Sequence, residues 1–378
     1  CTTVRDEAMD ARAVAVGAQE GILGEWGMEV LNPQYEGRIS SARALAASKL
    51  AATVRLGREL SLEEVANQAR AFGFPVGEGE LLTRMLLGYD SVSLKEAVRA
   101  YSAISRKGVL PGDLRYIERI ENADGEVVYQ ADPAEKPDTD PACDEITAYQ
   151  IHDMLRESLG NGNLAAEAST LRQQPFTGAV KTGTTHEFAD GWCVGYNGKV
   201  ALGVWIGFHQ GKEAIYENAF GRQLVFPPWS EVMNVAEESY PGTEIESPEG
   251  LSLVKVCSES GLRATRYCYE SMEDPVKGRS FRYTGHTELL RAARRKLGLC
   301  DIHGKGGIGT NEVLERYGPL AVESGDQQLL PVAPIVPQTS GLVGEDPYNS
   351  ELVNLEDTKG ELSIFVRGPS LLLETEIL

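Results

Sequence analysis

Asn197-Gly198 stands between two apolar runs, Trp192-Cys-Val-Gly-Tyr196 and Lys199-Val-Ala-Leu-Gly-Val-Trp-Ile206. Asn-Gly is the strongest short-range signal for a tight hairpin turn, because both residues tolerate positive φ. In the second run Val200, Leu202, Val204 and Ile206 alternate onto one face, as a half-buried strand requires. Just upstream, Gly178-Ala-Val-Lys181-Thr182 reads as a third short strand. Neighbouring strands joined by short turns pair antiparallel, so an antiparallel sheet is the element around which the rest must be arranged.

Helices precede that sheet. Ser61-Leu-Glu-Glu64 and Ser93-Leu-Lys-Glu96 are capping boxes, with helices expected to run to Gly73 and Gly108. Residues 41–57 are rich in Ala and Leu and read as one helix. Glu145 to Leu159 sets Ile151, Leu155 and Leu159 four apart, an amphipathic helix stopped at Gly160. Asp124-Gly125 centres a further hairpin, between Ile120 and Tyr129. The pattern implies an α+β fold, an antiparallel sheet flanked by helices.

The chain has 378 residues, with 36 Lys and Arg against 56 Asp and Glu, a net charge of −20. That balance argues against nucleic-acid binding, which needs clustered basic residues. No apolar run approaches the roughly 20 residues of a membrane span. Composition shifts after residue 240, where Pro241 and Pro248 mark a linker, and Pro331 to Pro337 form a stiff second one. The expected organisation is a main domain over 1–240, a cysteine-bearing extension over 241–330, and a Pro-rich linker with a small β tail over 331–378. The basic stretch Arg291 to Lys296 reads as one solvated helix face. In the tail, Glu361 to Arg367 and Leu371 to Leu378 are expected to add one or two strands.

The segment with chemistry is Lys181-Thr182-Gly183-Thr184, followed by Asp190-Gly-Trp192. On a strand, Lys181 is expected to supply a fixed positive charge, and the Thr184 hydroxyl a hydrogen bond to a carboxylate, both in one cleft. Asp190 and Trp192 are expected to shape the strand that follows. Spacing alone ranks this equally with a surface strand carrying an exposed lysine.

The segment resembles the Lys-Thr-Gly motif of penicillin-binding proteins. Further stretches, in the same order, are similar to that family: Asn32-Pro-Gln-Tyr35-Glu-Gly37 with Ala44-Leu-Ala-Ala-Ser48, then Leu87-Gly88 to Leu94, Gly160-Asn-Gly162, and Val256-Cys257 to Thr265 with Cys300-Asp-Ile-His303. The resemblance spans about residues 20–305 and is closest to the transpeptidase domain of class A members. It implies a fold related to serine β-lactamases, with a small C-terminal segment. It also implies a place in peptidoglycan synthesis outside the bacterial cytoplasmic membrane, and a peptidoglycan stem peptide of D-Ala-D-Ala type or a cell-wall synthesis protein as partner. Lys181, Thr182, Gly183, Thr184 and Ser48 are the substrate-binding residues it implies. Nothing in the chain corresponds to the glycosyltransferase domain that class A members also carry.

The chain departs from the family where acyl transfer begins. That chemistry needs an activated nucleophile, which the family supplies as Ser-x-x-Lys upstream of the Asn32 stretch. Residues 1–31 contain no serine and no lysine. They read as a rewritten nucleophile helix, with Glu7 and Asp10 near the expected Ser and Lys positions. Aligned instead, Thr2-Thr-Val-Arg5 offers a weak nucleophile and a guanidinium that stays protonated. Ser252-Leu-Val-Lys255 fits the pattern but lies downstream, in a strand-like run. The family's second motif, Ser-x-Asn, is here Ser48-Lys49-Leu50, so Ser48 is a candidate remnant of a proton relay while Leu50 cannot bind an amide. Ser48 as nucleophile with Lys49 as base is poor geometry, since helix neighbours point about 100° apart. The expectation is a non-catalytic homologue; the alternative is an active D,D-transpeptidase or carboxypeptidase acylated by β-lactams, its nucleophile misplaced or outside these residues. A third reading is an unrelated hydrolase.

Cys1 opens the chain. It is a cut boundary, a lipid-modified cysteine giving a membrane anchor, or an N-terminal nucleophile. Cys143 and Cys193 read as ordinary thiols. Cys257, Cys268 and Cys300 are disulfide candidates in an oxidising compartment; with His303 they also suit a Cys3His zinc site, and free thiols are the third option. The resemblance itself implies no metal and no organic cofactor.

Overall fold

The computed structural model describes residues 3–10, 22–23, 35–77, 79, 81–88, 91–112, 117–131, 141–185, 188–208, 213–274, 278–292, 297–303 and 361–367. Cys1, the linker at 331–337, the tail beyond 367 and most of the basic stretch after Arg291 lie outside them.

In chain order the elements are β1 (Thr3–Asp6), β2 (Met9–Asp10), β3 (Ile22–Leu23), β4 (Gly37–Ser40), α1 (Ser41–Ala46), α2 (Leu50–Leu60), α3 (Leu62–Ala71), α4 (Leu94–Ser105), β5 (Arg119–Glu121), β6 (Val127–Gln130) and α5 (Glu145–Gly160). Then follow β7 (Ala179–Thr184), β8 (Asp190–Tyr196), β9 (Ala201–Gly207), α6 (Gly221–Leu224), α7 (Phe226–Ser239), β10 (Leu251–Cys257), β11 (Tyr269–Asp274), β12 (Gly278–Tyr283), β13 (Gly285–Arg291) and β14 (Glu361–Arg367). The chain divides into two compact bodies, a larger one ending its first pass at Leu251 and returning at Lys359, and a smaller one drawn mainly from Ser252 to Thr358.

The larger body is built on a four-stranded antiparallel sheet of order β14-β9-β8-β7. The Asn197 turn joins β8 to β9, and its side-chain oxygen accepts from the amides of Lys199 (2.7 Å) and Val200 (2.6 Å). Two apolar layers cover the sheet. On one face Val180, Cys193, Leu202 and Val204 pack with Phe226, Trp229 and Met233 of α7. On the other, Ala179, Val194, Tyr196 and Ala201 pack with Leu94 and Val98 of α4 and Leu155 of α5. Alternate residues of each strand thus serve opposite layers, the period-two rule of a sheet buried on both sides.

The capped helices form as their sequences dictate. Ser93 and Glu96 make the reciprocal capping box of α4, and Ser61 accepts from the Glu64 amide at the start of α3. The Ala-rich stretch at 41–57 is two helices, not one. Ser48, at φ 57°, turns the backbone through the left-handed region between α1 and α2, a conformation that propensity cannot foretell and that ends a helix. Residues 3–10 are strands, where a rewritten helix was expected; Val4 and Asp6 point inward and Arg5 outward, a strand alternation. Glu7 is exposed in the turn that follows, and Asp10 lies in β2. Among the described residues no helix is long and apolar enough to cross a membrane.

The smaller body pairs β10 with β13 and β11 with β12. Single bridges tie Arg263 to Val256 and to Leu299. Cys257, Cys268 and Cys300 are buried together, with their sulfurs not joined to one another.

Candidate functional site

The left-handed turn at Ser48 exists between two helices whose ends are pinned from both sides. Lys49, buried, forms ion pairs with Asp6 at 3.5 Å and Glu36 at 3.2 Å. Lys49 is therefore committed to these carboxylates and is not a base for Ser48. Arg43 grips both carboxylate oxygens of Glu36 at 2.9 Å and also donates to the carbonyl of Asn161. Burial pulls the Glu36 carboxyl upward, but the Arg43 and Lys49 cations outweigh it and hold the group below its ordinary value.

The loop after α5 closes on the same place. The Asn163 amide donates to the Ala46 carbonyl at 3.0 Å. A Cβ on Gly162 would lie 2.3 Å from the Ala46 oxygen and 2.6 Å from the Ser158 Cα, so only glycine lets the loop seat against α1. Beneath it, Ser158 donates to the Val180 carbonyl at 2.8 Å and locks α5 to β7.

These constraints bring Ser48 against β7. Lys181 Nζ hydrogen-bonds Ser48 Oγ, and also donates to the carbonyl of Thr182 at 2.9 Å. Burial lowers the Lys181 pKa from 10.5 to about 8, opposed in small part by Cys193. At neutral pH the amine is mainly ammonium and a minor fraction is a free base.

The remaining motif residues take separate partners. The hydroxyl of Thr182 accepts from Asn163 Nδ2 at 3.3 Å. That of Thr184 accepts from the Gly221 amide at 2.8 Å, leaving its own proton to donate elsewhere. A Cβ on Gly221 would stand 2.5 Å from the Gly183 carbonyl oxygen, so the start of α6 rides directly over the strand. Gly183 is exposed. Asp190 accepts from Trp205 Nε1 at 2.7 Å, and its amide donates to Thr185 Oγ1 at 2.7 Å, which fixes the turn into β8. Leu50, at the position of the motif's amide, packs with Val54, Leu86 and Leu87. The expectation that Lys181 and Thr184 face one cleft thus resolves into two contacts: Lys181 with Ser48, and Thr184 with Gly221.

On sequence Asn163 carries no motif of its own, although its neighbour Gly162 lies in a stretch that resembles the family. Its side-chain oxygen is buried and has no hydrogen-bond partner among the described residues. It is an open acceptor beside Thr182, and only the closure of the loop reveals it.

Chemically, the site offers an ammonium on a hydroxyl and the Thr184 hydroxyl along β7, the last strand in the sheet order among the described residues. Such a set suits a carboxylate next to a peptide bond. The sulfur-and-imidazole group at Cys257, Cys268, Cys300 and His303 lies in the other body.

No family model matches the sequence. The fold is that of penicillin-binding-protein transpeptidase domains. The crystal structure of penicillin-binding protein 1A from Haemophilus influenzae superposes with a TM-score of 0.60 at 18% identity, over 77% of this chain and 45% of that one. Curated relatives are penicillin-binding proteins 1A: that of Neisseria lactamica is 28% identical over 227 residues, covering 60% of this chain, and that of Pseudomonas aeruginosa is 26% identical over 292 residues, covering 65%. The matched regions span 28% and 33% of those proteins' own lengths.

Proposed function

We propose that this chain is a penicillin-binding-protein-like domain of bacterial cell-wall synthesis, acting outside the cytoplasmic membrane, that holds the carboxylate end of a peptidoglycan stem peptide without acylating it. The observation that carries the reading is the Lys181–Ser48 contact beside the exposed Gly183 of β7. The ammonium neutralises the terminal carboxylate, and the half-buried Thr184 supplies a hydroxyl further along the strand. Gly183 leaves the backbone open, so an extended peptide can pair with β7 by strand addition.

The non-acylating reading is supported by the state of the Lys181–Ser48 pair. Ser48 accepts a hydrogen bond from a predominantly protonated amine, the reverse of what deprotonation of a nucleophile requires.

One observation favours a second reading. With its pKa near 8, Lys181 is a free base in a minority of molecules, and a Ser–Lys pair is a known variant of the serine hydrolase dyad. In that state Ser48 Oγ attacks the carbonyl carbon of the penultimate residue while its proton passes to Lys181 Nζ. The C–N bond to the terminal D-Ala then breaks as the ammonium returns that proton to the leaving amine. The product is an acyl-Ser48.

Labelling with a fluorescent penicillin, followed by peptide mass mapping, separates the two. The binding reading expects no covalent adduct together with saturable binding of a soluble peptide ending in D-Ala-D-Ala. An adduct on Ser48 that disappears in Ser48→Ala establishes the second. Neither adduct nor binding at millimolar peptide overturns both.

A further inference from the structure

We propose that Cys257, Cys268, Cys300 and His303 bind one zinc ion, which holds the smaller body together. The four are buried, and their donor atoms all lie within 4.8 Å of one another. Tetrahedral zinc, with Zn–S about 2.3 Å and Zn–N about 2.0 Å, sets its donors roughly 3.5–3.8 Å apart. His303 Nδ1 already stands 3.5 Å from Cys257 Sγ and 3.4 Å from Cys300 Sγ. Only a small contraction of the remaining distances completes the tetrahedron.

The surroundings are those of a thiolate site. The Thr265 amide points at Cys268 Sγ at 3.1 Å. Thr284 Oγ1 stands 3.4 Å from Cys257 Sγ. Amide donors of this kind offset the negative charge that three thiolates carry around a divalent ion. The outer nitrogen of His303 faces a Glu259 carboxylate oxygen at 3.8 Å. A carboxylate behind a ligating histidine fixes its tautomer and leaves Nδ1 free for the metal.

A metal staple suits such a module. Where burial is described from Ser252 to His303, the buried apolar side chains are Val256, Leu290 and the three cysteines. Small modules commonly draw part of their stability from disulfides or metals. A disulfide uses two of the three cysteines and leaves the third, and the buried His303, without a task. Zinc uses all four.

The test is metal analysis of the full chain, purified under reducing conditions, loaded with Zn2+ and desalted. One zinc per chain is expected. Co2+ in its place should give intense thiolate-to-cobalt charge transfer and the visible bands of a tetrahedral ion, bleached by Zn2+. Cys143→Ser should leave both readouts unchanged. Cys268→Ser and His303→Ala should weaken Co2+ binding by more than about tenfold, and Glu259→Gln by roughly tenfold. The wild-type cobalt spectrum stands even if a ligand variant fails to fold. Wild-type protein that retains no zinc and shows no charge-transfer band overturns the proposal. So does a disulfide joining two of the three cysteines in protein isolated without reductant.

Discussion

The ammonium of Lys181 donates to the hydroxyl oxygen of Ser48, 133 positions earlier in the chain. The contact forms because α1 ends in a left-handed turn and β7 is locked to α5. It joins a stretch whose motif is altered to the one whose motif is intact, and it sets the chemistry any ligand meets.

Carboxylate binding should follow the protonation of Lys181. Its pKa of about 8 lies below the ordinary 10.5 because burial disfavours the ammonium. A peptide carboxylate is attracted only to the charged form. Affinity for a D-Ala-D-Ala peptide should be flat from pH 6 to about 7.5 and fall about tenfold per unit above pH 8. Lys181→Met should bind about 10–100-fold more weakly at pH 7 and lose this dependence. Titration calorimetry across pH reads both.

Ser48 is held at φ 57°. A residue with a Cβ pays about 1–2 kcal/mol there, and glycine does not. Ser48→Ala and Ser48→Gly lose the same hydrogen bond to Lys181. Ser48→Gly should nevertheless be the more stable of the two, by about 0.5–1 kcal/mol after its larger unfolded-state entropy is counted. Urea midpoints of the two variants, at equal m, give the difference.

Gly162→Ala should damage stability and site together. The added carbon meets the Ala46 carbonyl and the Ser158 backbone, neither of which can yield without moving α1 or α5. A loss of about 2 kcal/mol is expected. Peptide binding should weaken in the same variant, since Asn163 and Ser48 shift with those helices. Denaturant unfolding and peptide titration on one preparation test the pairing of the two effects.

His152 should make the larger body sensitive to mild acid. It is fully buried, with Nδ1 3.3 Å from the Tyr196 hydroxyl and no partner for Nε2 among the described residues. Burial, with Arg156 adding to it, lowers its pKa from 6.5 to about 4. Between those values the unfolded chain binds a proton that the folded one refuses, so stability falls as pH drops from 6.5 to 4, by about 3 kcal/mol at most. His152→Phe should flatten that slope, measured as melting temperature against pH.

Much of this architecture was legible in the sequence, and the illegible parts share a cause. Ser93, Ser61, Asn197 and the alternation from Val200 to Ile206 act locally, so their elements could be written down from neighbours alone. Ser48 could not, because its left-handed turn is imposed by Lys49, Arg43 and the Asn163 loop, all of which depend on distant partners. Read by composition, residues 41–57 are one helix; read by what they must reach, they are two. The strand at 3–6 is a similar case: four residues are too few for a pattern, and pairing decided them. Lys181 was found through a motif, while the open oxygen of Asn163 had no motif and showed itself only as an unpaired atom. Of the cysteines, spacing suggested several fates, and the position of His303 among them distinguishes the one argued above.

The return of β14 to the edge of β9 has a last consequence. Between Leu251 and Glu361 the chain leaves the main sheet and comes back to it. The entropy lost in closing such a loop grows only with the logarithm of its length, about 0.6 kcal/mol per doubling. Melting the inserted module therefore lengthens the slack without greatly raising the cost of docking the final strand. On this count β14 should stay paired with β9 when the β10–β13 segment is melted.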